Sequence, residues 1–110
     1  MLIQIDLLTF KRMPPIGRKL IAEVITDGDV LDAISTDPNM DVLAAIALNP
    51  YVQPLTLEKM LRRGTAWFVR RNIINNANTP KYIIKALQKD PDQRVAEYAR
   101  KRLEKCDFSN

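Results

Sequence analysis

The chain contains no histidine, which removes the usual general base, the most frequent zinc ligand and every serine or cysteine triad that depends on imidazole. Cysteine is nearly absent too. The one thiol, Cys106, lies between Lys105 and Asp107, which excludes an intramolecular disulfide and any cysteine-cluster metal or iron–sulfur site. With no imidazole to activate it, Cys106 reads as a surface thiol and not as a nucleophile. No apolar run approaches the ~18–20 residues of a membrane span, and the segment from Met1 to Phe10, interrupted by Asp6, makes a poor signal peptide. Together these absences predict a cytoplasmic protein with no membrane partner. They also predict no cofactor, no metal, no small-molecule substrate and no enzymatic activity.

What is present fits one domain of 110 residues, 46% hydrophobic and 27% charged, a composition that folds. The overall charge of +4 conceals an uneven distribution. From Met1 to Leu55, four basic residues stand against seven acidic ones, a net of −3; from Thr56 to Asn110, thirteen stand against six, a net of +7. The acidic residues Asp27, Asp29 and Asp32 lack the glycine and glutamate spacing of a calcium loop. Like Asp37 and Asp41, they suit helix starts, where a carboxylate complements the helix dipole.

One segment occurs three times: Asp37-Pro38-Asn39-Met40-Asp41-Val42, Gly64-Thr65-Ala66-Trp67-Phe68-Val69 and Asp90-Pro91-Asp92-Gln93-Arg94-Val95, at offsets of 27 and then 26 residues. The punctuation that follows recurs as well. Asn49 matches Asn76, Pro54 matches Pro80, Leu57 matches Ile83, and Leu61 matches Leu87. A weaker earlier copy runs through Asp27-Gly28-Asp29-Val30-Leu31, with Leu31 standing 26 residues before Leu57.

Each unit reads as two helices. Asp37-Pro38 and Asp90-Pro91 place a capping side chain before a proline at the first helical position, where the missing N–H costs nothing. The buried stripe is then Val42, Ala45, Ile46 in the first copy, Val69, Asn72, Ile73 in the second and Val95, Tyr98, Ala99 in the third. The second helix carries Leu57, Met60, Leu61 or Ile83, Ile84, Leu87. Short helix pairs of this kind bury their apolar faces by stacking on neighbours, and the small residues Ala44, Ala45 and Ala47 allow close approach. Asn49 and Asn76, at the ends of first helices, read as structural, because Asn tolerates left-handed backbone and its amide can satisfy helix-end carbonyls. The segment Leu2 to Phe10 is expected to cap the stack, followed by a helix from Ile16 to Thr26 after the Pro14-Pro15 break.

The run from Asp37 through Leu61, followed by Val69 to Leu87 and Asp90 to Ala99, resembles the leucine-rich-repeat variant, a member of the wider HEAT and armadillo class. The likeness covers Asp37 to Leu103 and is loose before that. It implies an all-α, right-handed solenoid of stacked short helix pairs, about four repeats, whose curved faces bind proteins or, in some HEAT-like members, DNA. On this reading a single helical-repeat domain spans 1–110, with a cap and divergent repeat over 1–36 and repeats over 37–63, 64–89 and 90–105. The variant repeat is also known attached to an N-terminal cysteine cluster holding an iron–sulfur centre, and this sequence supplies no such ligands. The middle copy departs from the pattern, with Gly64-Thr65 in place of Asp-Pro.

The expected working surface lies on the middle and last repeats. Phe68 takes the repeat position held by Asp41 before and Arg94 after, so an exposed ring would sit beside Trp67, Arg70 and Arg71, with Arg62 and Arg63 one loop away and Arg94, Lys81 and Lys85 nearby. Aromatics and arginine are the residues enriched at protein interfaces, so the expected partner is a protein with an acidic or amphipathic surface. The alternative is nucleic acid, with phosphates neutralised by Arg70, Arg71, Lys81, Lys85, Lys89, Arg94, Arg100, Lys101 and Arg102, and bases stacked on Phe68 or Tyr82. Convergence of these cations on one concave face would favour nucleic acid, and dispersal a protein partner. The stripe itself is testable. Val69→Asp or Ile73→Asp, each burying a carboxylate without a partner, is expected to cost several kcal/mol, read as a lower midpoint in thermal or urea melts.

Overall fold

The computed structural model describes residues 6–105, and within them every regular element is helical. The helices are α1 (Leu7–Arg12), α2 (Pro15–Val24), α3 (Gly28–Ile34), α4 (Met40–Leu48), α5 (Pro54–Arg63), α6 (Trp67–Asn75), α7 (Lys81–Leu87) and α8 (Gln93–Lys105). Cys106 lies outside the described residues, as does the start of the expected cap. The described part of that cap is α1, and the helix after the double proline begins at Pro15 itself and closes at Ile25.

Helices α2, α4, α6 and α8 pack in succession to form one layer. Hydrogen bonds link α3, α5 and α7 on the other side. Thr56 Oγ1 donates to Asp32 Oδ1 (2.6 Å), and, 26 residues further along, Tyr82 OH donates to Glu58 Oε2 (2.8 Å). Between the two rows lies a core that includes Leu31, Val42, Ile46, Leu57, Met60, Val69, Ile73, Ile84 and Val95, all essentially inaccessible. The sequence stripe is thus in the core except at one position. Tyr98 is 42% exposed: the site that Ala45 and Asn72 fill in earlier copies does not enclose a phenol ring.

Two local expectations are corrected. The helices after Asp37-Pro38 and Asp90-Pro91 start two residues later than proline at the first turn would place them. Asn39 is the capping residue of α4, its Oδ1 accepting from the amides of Asp41 (2.8 Å) and Val42 (3.2 Å), and Asp92 does the same for Arg94 ahead of α8 (2.9 Å). The two prolines lie in the connecting loops. Asn49 and Asn76 have ordinary negative φ, −66° and −72°, so neither uses left-handed backbone. The other half of the expectation holds, across helices and not within one. Asn49 Nδ2 donates to the carbonyls of Ala22 and Ile25 (both 2.8 Å) at the end of α2, and Asn76 Nδ2 to those of Ala47 (2.8 Å) and Asn49 (3.0 Å) at the end of α4. In α8 the corresponding residue is Arg102, whose guanidinium reaches the carbonyls of Ile74 and Asn76.

Asp37 and Asp90, released from capping, do something else. Each accepts a forked pair of bonds from an arginine of the layer and one from the backbone amide two residues on. Arg18 Nε and Nη2 donate to Asp37 (2.8 and 3.3 Å), and Arg70 Nε and Nη2 to Asp90 (2.7 and 3.1 Å). The same arginines also donate to the Met13 and Thr65 carbonyls. Both carboxylates are almost fully buried. In the copy between them neither partner exists: Leu43 stands at the arginine position, fully buried, and Gly64, at φ 83°, stands at the aspartate position. Removing one member of a buried pair strands the other's charge, so Arg70→Leu or Asp90→Gly alone is expected to lower stability by about 3 kcal/mol. The double variant, which reproduces the middle copy, is expected to lose clearly less than the sum of the two in urea melts.

Candidate binding surface

Numbering each layer helix from the residue that precedes it (Pro14, Asn39, Ala66 and Asp92) aligns their side chains in rows. The row at the first, fifth and ninth positions is Pro15, Lys19, Glu23 on α2; Met40, Ala44, Leu48 on α4; Trp67, Arg71, Asn75 on α6; and Gln93, Glu97, Lys101 on α8. None of these residues is buried, so the row forms the open face of the layer. Its middle is apolar on α4, where Leu48 is exposed and Met40 and Ala44 pack partly against the core. Its next helix is aromatic and cationic.

Trp67 is the centre of that second part. The Arg94 guanidinium lies over its ring at 3.9 Å from the centroid and that of Arg71 at 5.1 Å, while Phe68 meets it edge-on at 6.3 Å and 88°. An indole face attracts a guanidinium through its quadrupole, so one ring here holds two cations at the surface. Arg94 is aimed by Asp92, which accepts from its Nε (3.1 Å) and Nη2 (2.8 Å). The guanidinium in turn holds the Asp92 carboxyl down to about 2, well below the ordinary carboxylate range. Asp32, between Thr56 and Lys59, is lowered as well, chiefly by the Thr56 hydroxyl.

The eight residues expected at the working surface therefore separate. Phe68, Arg71 and Arg94 are brought together around Trp67. Phe68, however, is half-buried although its counterparts Asp41 and Arg94 are exposed, because its ring packs against the core and meets the indole edge-on. Arg70 is not available to a partner: its guanidinium is committed to Asp90. Arg63 Nη1 donates to the carbonyls of Ser35 (2.8 Å) and Asp37 (3.2 Å) and so fastens the loop before α4, while Arg62 beside it is exposed. Lys81 and Lys85 are exposed on α7, outside the layer that carries Trp67. Of the remaining cations, Arg100 and Lys101 both pair with Glu97.

Met40, Ala44 and Leu48 were missed. Their spacing of four residues is plain in the sequence, but beside the stronger stripe of Val42, Ala45 and Ile46 spacing alone does not tell an outward apolar row from a further buried one. Elsewhere, a groove of about 450 Å³ is lined by Leu7, Phe10, Ala33, Ile34 and the Arg18–Asp37 pair. No cluster of three or more metal-ligating side chains occurs among the described residues, and no helix among them is long and apolar enough to cross a membrane. No family model, curated protein or solved structure matches the chain.

The Asp92–Arg94 pair has a pH consequence. A carboxyl whose folded value lies below its unfolded value of 3.8 contributes stability that is complete above that value and is lost as pH falls through about 2. Asp92→Asn is therefore expected to lower stability at neutral pH, where the wild-type contribution is complete, and to converge with the wild type as pH falls to about 2, so that its acid limb is flatter. Urea midpoints measured at stepped pH in both proteins check it.

Proposed function

We propose that the chain is a non-enzymatic binding module: a right-handed solenoid of about four short helix pairs that takes an amphipathic, acidic protein segment on the open face of α4, α6 and α8. The observation that carries this reading is the junction on that face of an apolar strip, Met40, Ala44 and Leu48, with a tryptophan flanked by two arginines. The layer arrangement, the recurrence of Asn49 and Asn76 and the sequence period support the repeat architecture; the handedness follows from the resemblance alone. An amphipathic helix would lay its apolar side on Leu48 and the Trp67 edge and set carboxylates against Arg71 and Arg94. Arginine suits that role because its planar fork matches a carboxylate. The dispersal of the cations supports a protein partner over nucleic acid. Arg70, Arg63, Arg100 and Lys101 already have partners, and Lys81 and Lys85 lie outside the layer.

Trp67 is the only tryptophan, so its emission reports on the site directly. Titration with an acidic amphipathic helical peptide is expected to shift that emission. Leu48→Glu, and Arg71→Ala with Arg94→Ala, should each weaken binding at least ~10-fold, mostly through faster release. Duplex and single-stranded oligonucleotides are the control. Binding by them that falls ~10³-fold or more between ~50 and ~200 mM salt, survives Leu48→Glu and fails on Lys81→Ala with Lys85→Ala would replace the protein reading with phosphate recognition.

A further inference from the structure

The row at the second, sixth and tenth positions of the layer helices faces the preceding helix. In α4 it is Asp41, Ala45, Asn49; in α6, Phe68, Asn72, Asn76; in α8, Arg94, Tyr98, Arg102. The contacts establish the direction. Asn49 reaches the end of α2, Asn72 and Asn76 reach carbonyls of α4, and Arg94 and Arg102 reach Trp67 and the end of α6. In α2, which has no preceding layer helix among the described residues, the same row is Ile16, Leu20 and Val24. All three are aliphatic, at 63%, 56% and 52% exposure.

We infer that this stripe is a self-association surface, covered by the α2 of a second copy running antiparallel across a two-fold axis near Leu20. Two features choose this occupant. The first is polarity. A helix added in the sense of the layer would run parallel to α2 and present its carbonyl end at the tenth position, where Asn49, Asn76 and Arg102 supply donors. Val24 has none, so a parallel addition would leave those carbonyls buried and unsatisfied. An antiparallel copy avoids the penalty: it sets Ile16 against Val24 and Leu20 against Leu20, because the stripe has a large aliphatic at each end and at its middle. The second is charge. Lys19 and Glu23 line one flank of the stripe, and neither makes an ion pair with another described residue. A two-fold brings this flank against itself, Lys19 of one copy beside Glu23 of the other, and the pairing is complementary twice over.

Three aliphatics and their flanks fall short of the ~800 Å² per partner of a stable interface, so the dimer is a weak one, dissociating in the micromolar range. Its aliphatic stripe is a different row from the proposed partner face, and its charged flank, Lys19 and Glu23, lies at the α2 end of the open row that the proposed partner does not use, so it stands or falls without that reading. Sedimentation equilibrium of the full chain from about 5 to about 500 µM is expected to show a monomer–dimer equilibrium. Leu20→Glu should remain monomeric throughout, with unchanged circular dichroism, since the side chain is exposed in the single copy. Lys19→Glu and Glu23→Lys should each weaken the homodimer, and an equimolar mixture of the two should restore association as a heterodimer. A wild-type chain that stays monomeric at the highest concentration, a Leu20→Glu chain that still dimerises, or a mixture that fails to recover association overturns the inference.

Discussion

The carbonyl ends of short helices are the constraint on which this structure turns. A helix of nine or ten residues, such as α2, α4 or α6, leaves four carbonyls without intrahelical partners at its end, a large share of its backbone. Burying such an end against a neighbour without donors would cost more than the packing returns. Asn49 and Asn76 resolve this for two junctions at once. Each amide N–H₂ closes the end of the preceding helix, while its Oδ1 accepts from the backbone amide two residues on, Tyr51 or Asn78 (2.8 and 2.9 Å). One buried side chain therefore fixes both the spacing between two helices and the turn that leads to the next element. At the last junction, Arg102 reaches the same carbonyls from within a helix that continues past that point. The apolar core can interdigitate only because these polar contacts hold the layer helices in register.

Much of this was legible in the sequence, and its limits have physical causes. The three-fold segment, the helix pairs and the buried valines and isoleucines follow from spacing, because an apolar residue on a helix has few places to go once its neighbours four residues away are apolar. The role of Asn49 as a donor to carbonyls was visible in outline. That the carbonyls belong to another helix was not, since spacing within one segment carries no information on which neighbour lies across the contact. Asp37 and Asp90 show the same limit more sharply. Asp-Pro is a strong local signal for a helix start, yet a buried arginine from a different helix outcompetes the cap, and the chain recruits Asn39 and Asp92 instead. The candidate surface was legible only as a cluster of residues. Phe68 stood out because it replaced a charged residue, but that substitution marked an aromatic pair and not an exposed ring. Trp67, one residue earlier, is where the two arginines converge.

The alternation of the arginine–aspartate pair adds a second period on top of the first. Arg18–Asp37 and Arg70–Asp90 are separated by 52 and 53 positions, twice the basic spacing, and the copy between them replaces both members together, by Leu43 and Gly64. Loss of both is the arrangement that physical cost favours, because either residue alone would be a buried charge without a partner. A glycine at the vacated aspartate position also lets the chain turn at positive φ between α5 and α6, where no proline stiffens the loop. The α5–α6 junction therefore has no carboxylate of its own, and its Thr65 carbonyl accepts from Arg70 of the helix that follows, while the junctions before α4 and α8 each supply the aspartate of an ionic clasp.

That difference bears on the candidate surface. Trp67 opens α6 directly after the Gly64-Thr65-Ala66 turn, which is tied to the Arg70–Asp90 pair through the Thr65 carbonyl, and α6, unlike α4 and α8, has no side-chain cap. Arg71 and Arg94 hold the ring from two different helices, and Arg94 is itself held by Asp92. The aromatic centre of the open face is thus positioned by packing against the core and by two surface cations. Under the proposed function, the guanidinium groups of Arg71 and Arg94 would adjust to a partner's acidic residues, since they lie on the indole at the surface while the ring itself rests against the core. The apolar strip on α4 beside it is rigid, anchored by Val42 and Ile46 beneath. Under the proposed function, a fixed apolar strip next to a ring that bears two cations would select for amphipathic character in what it binds.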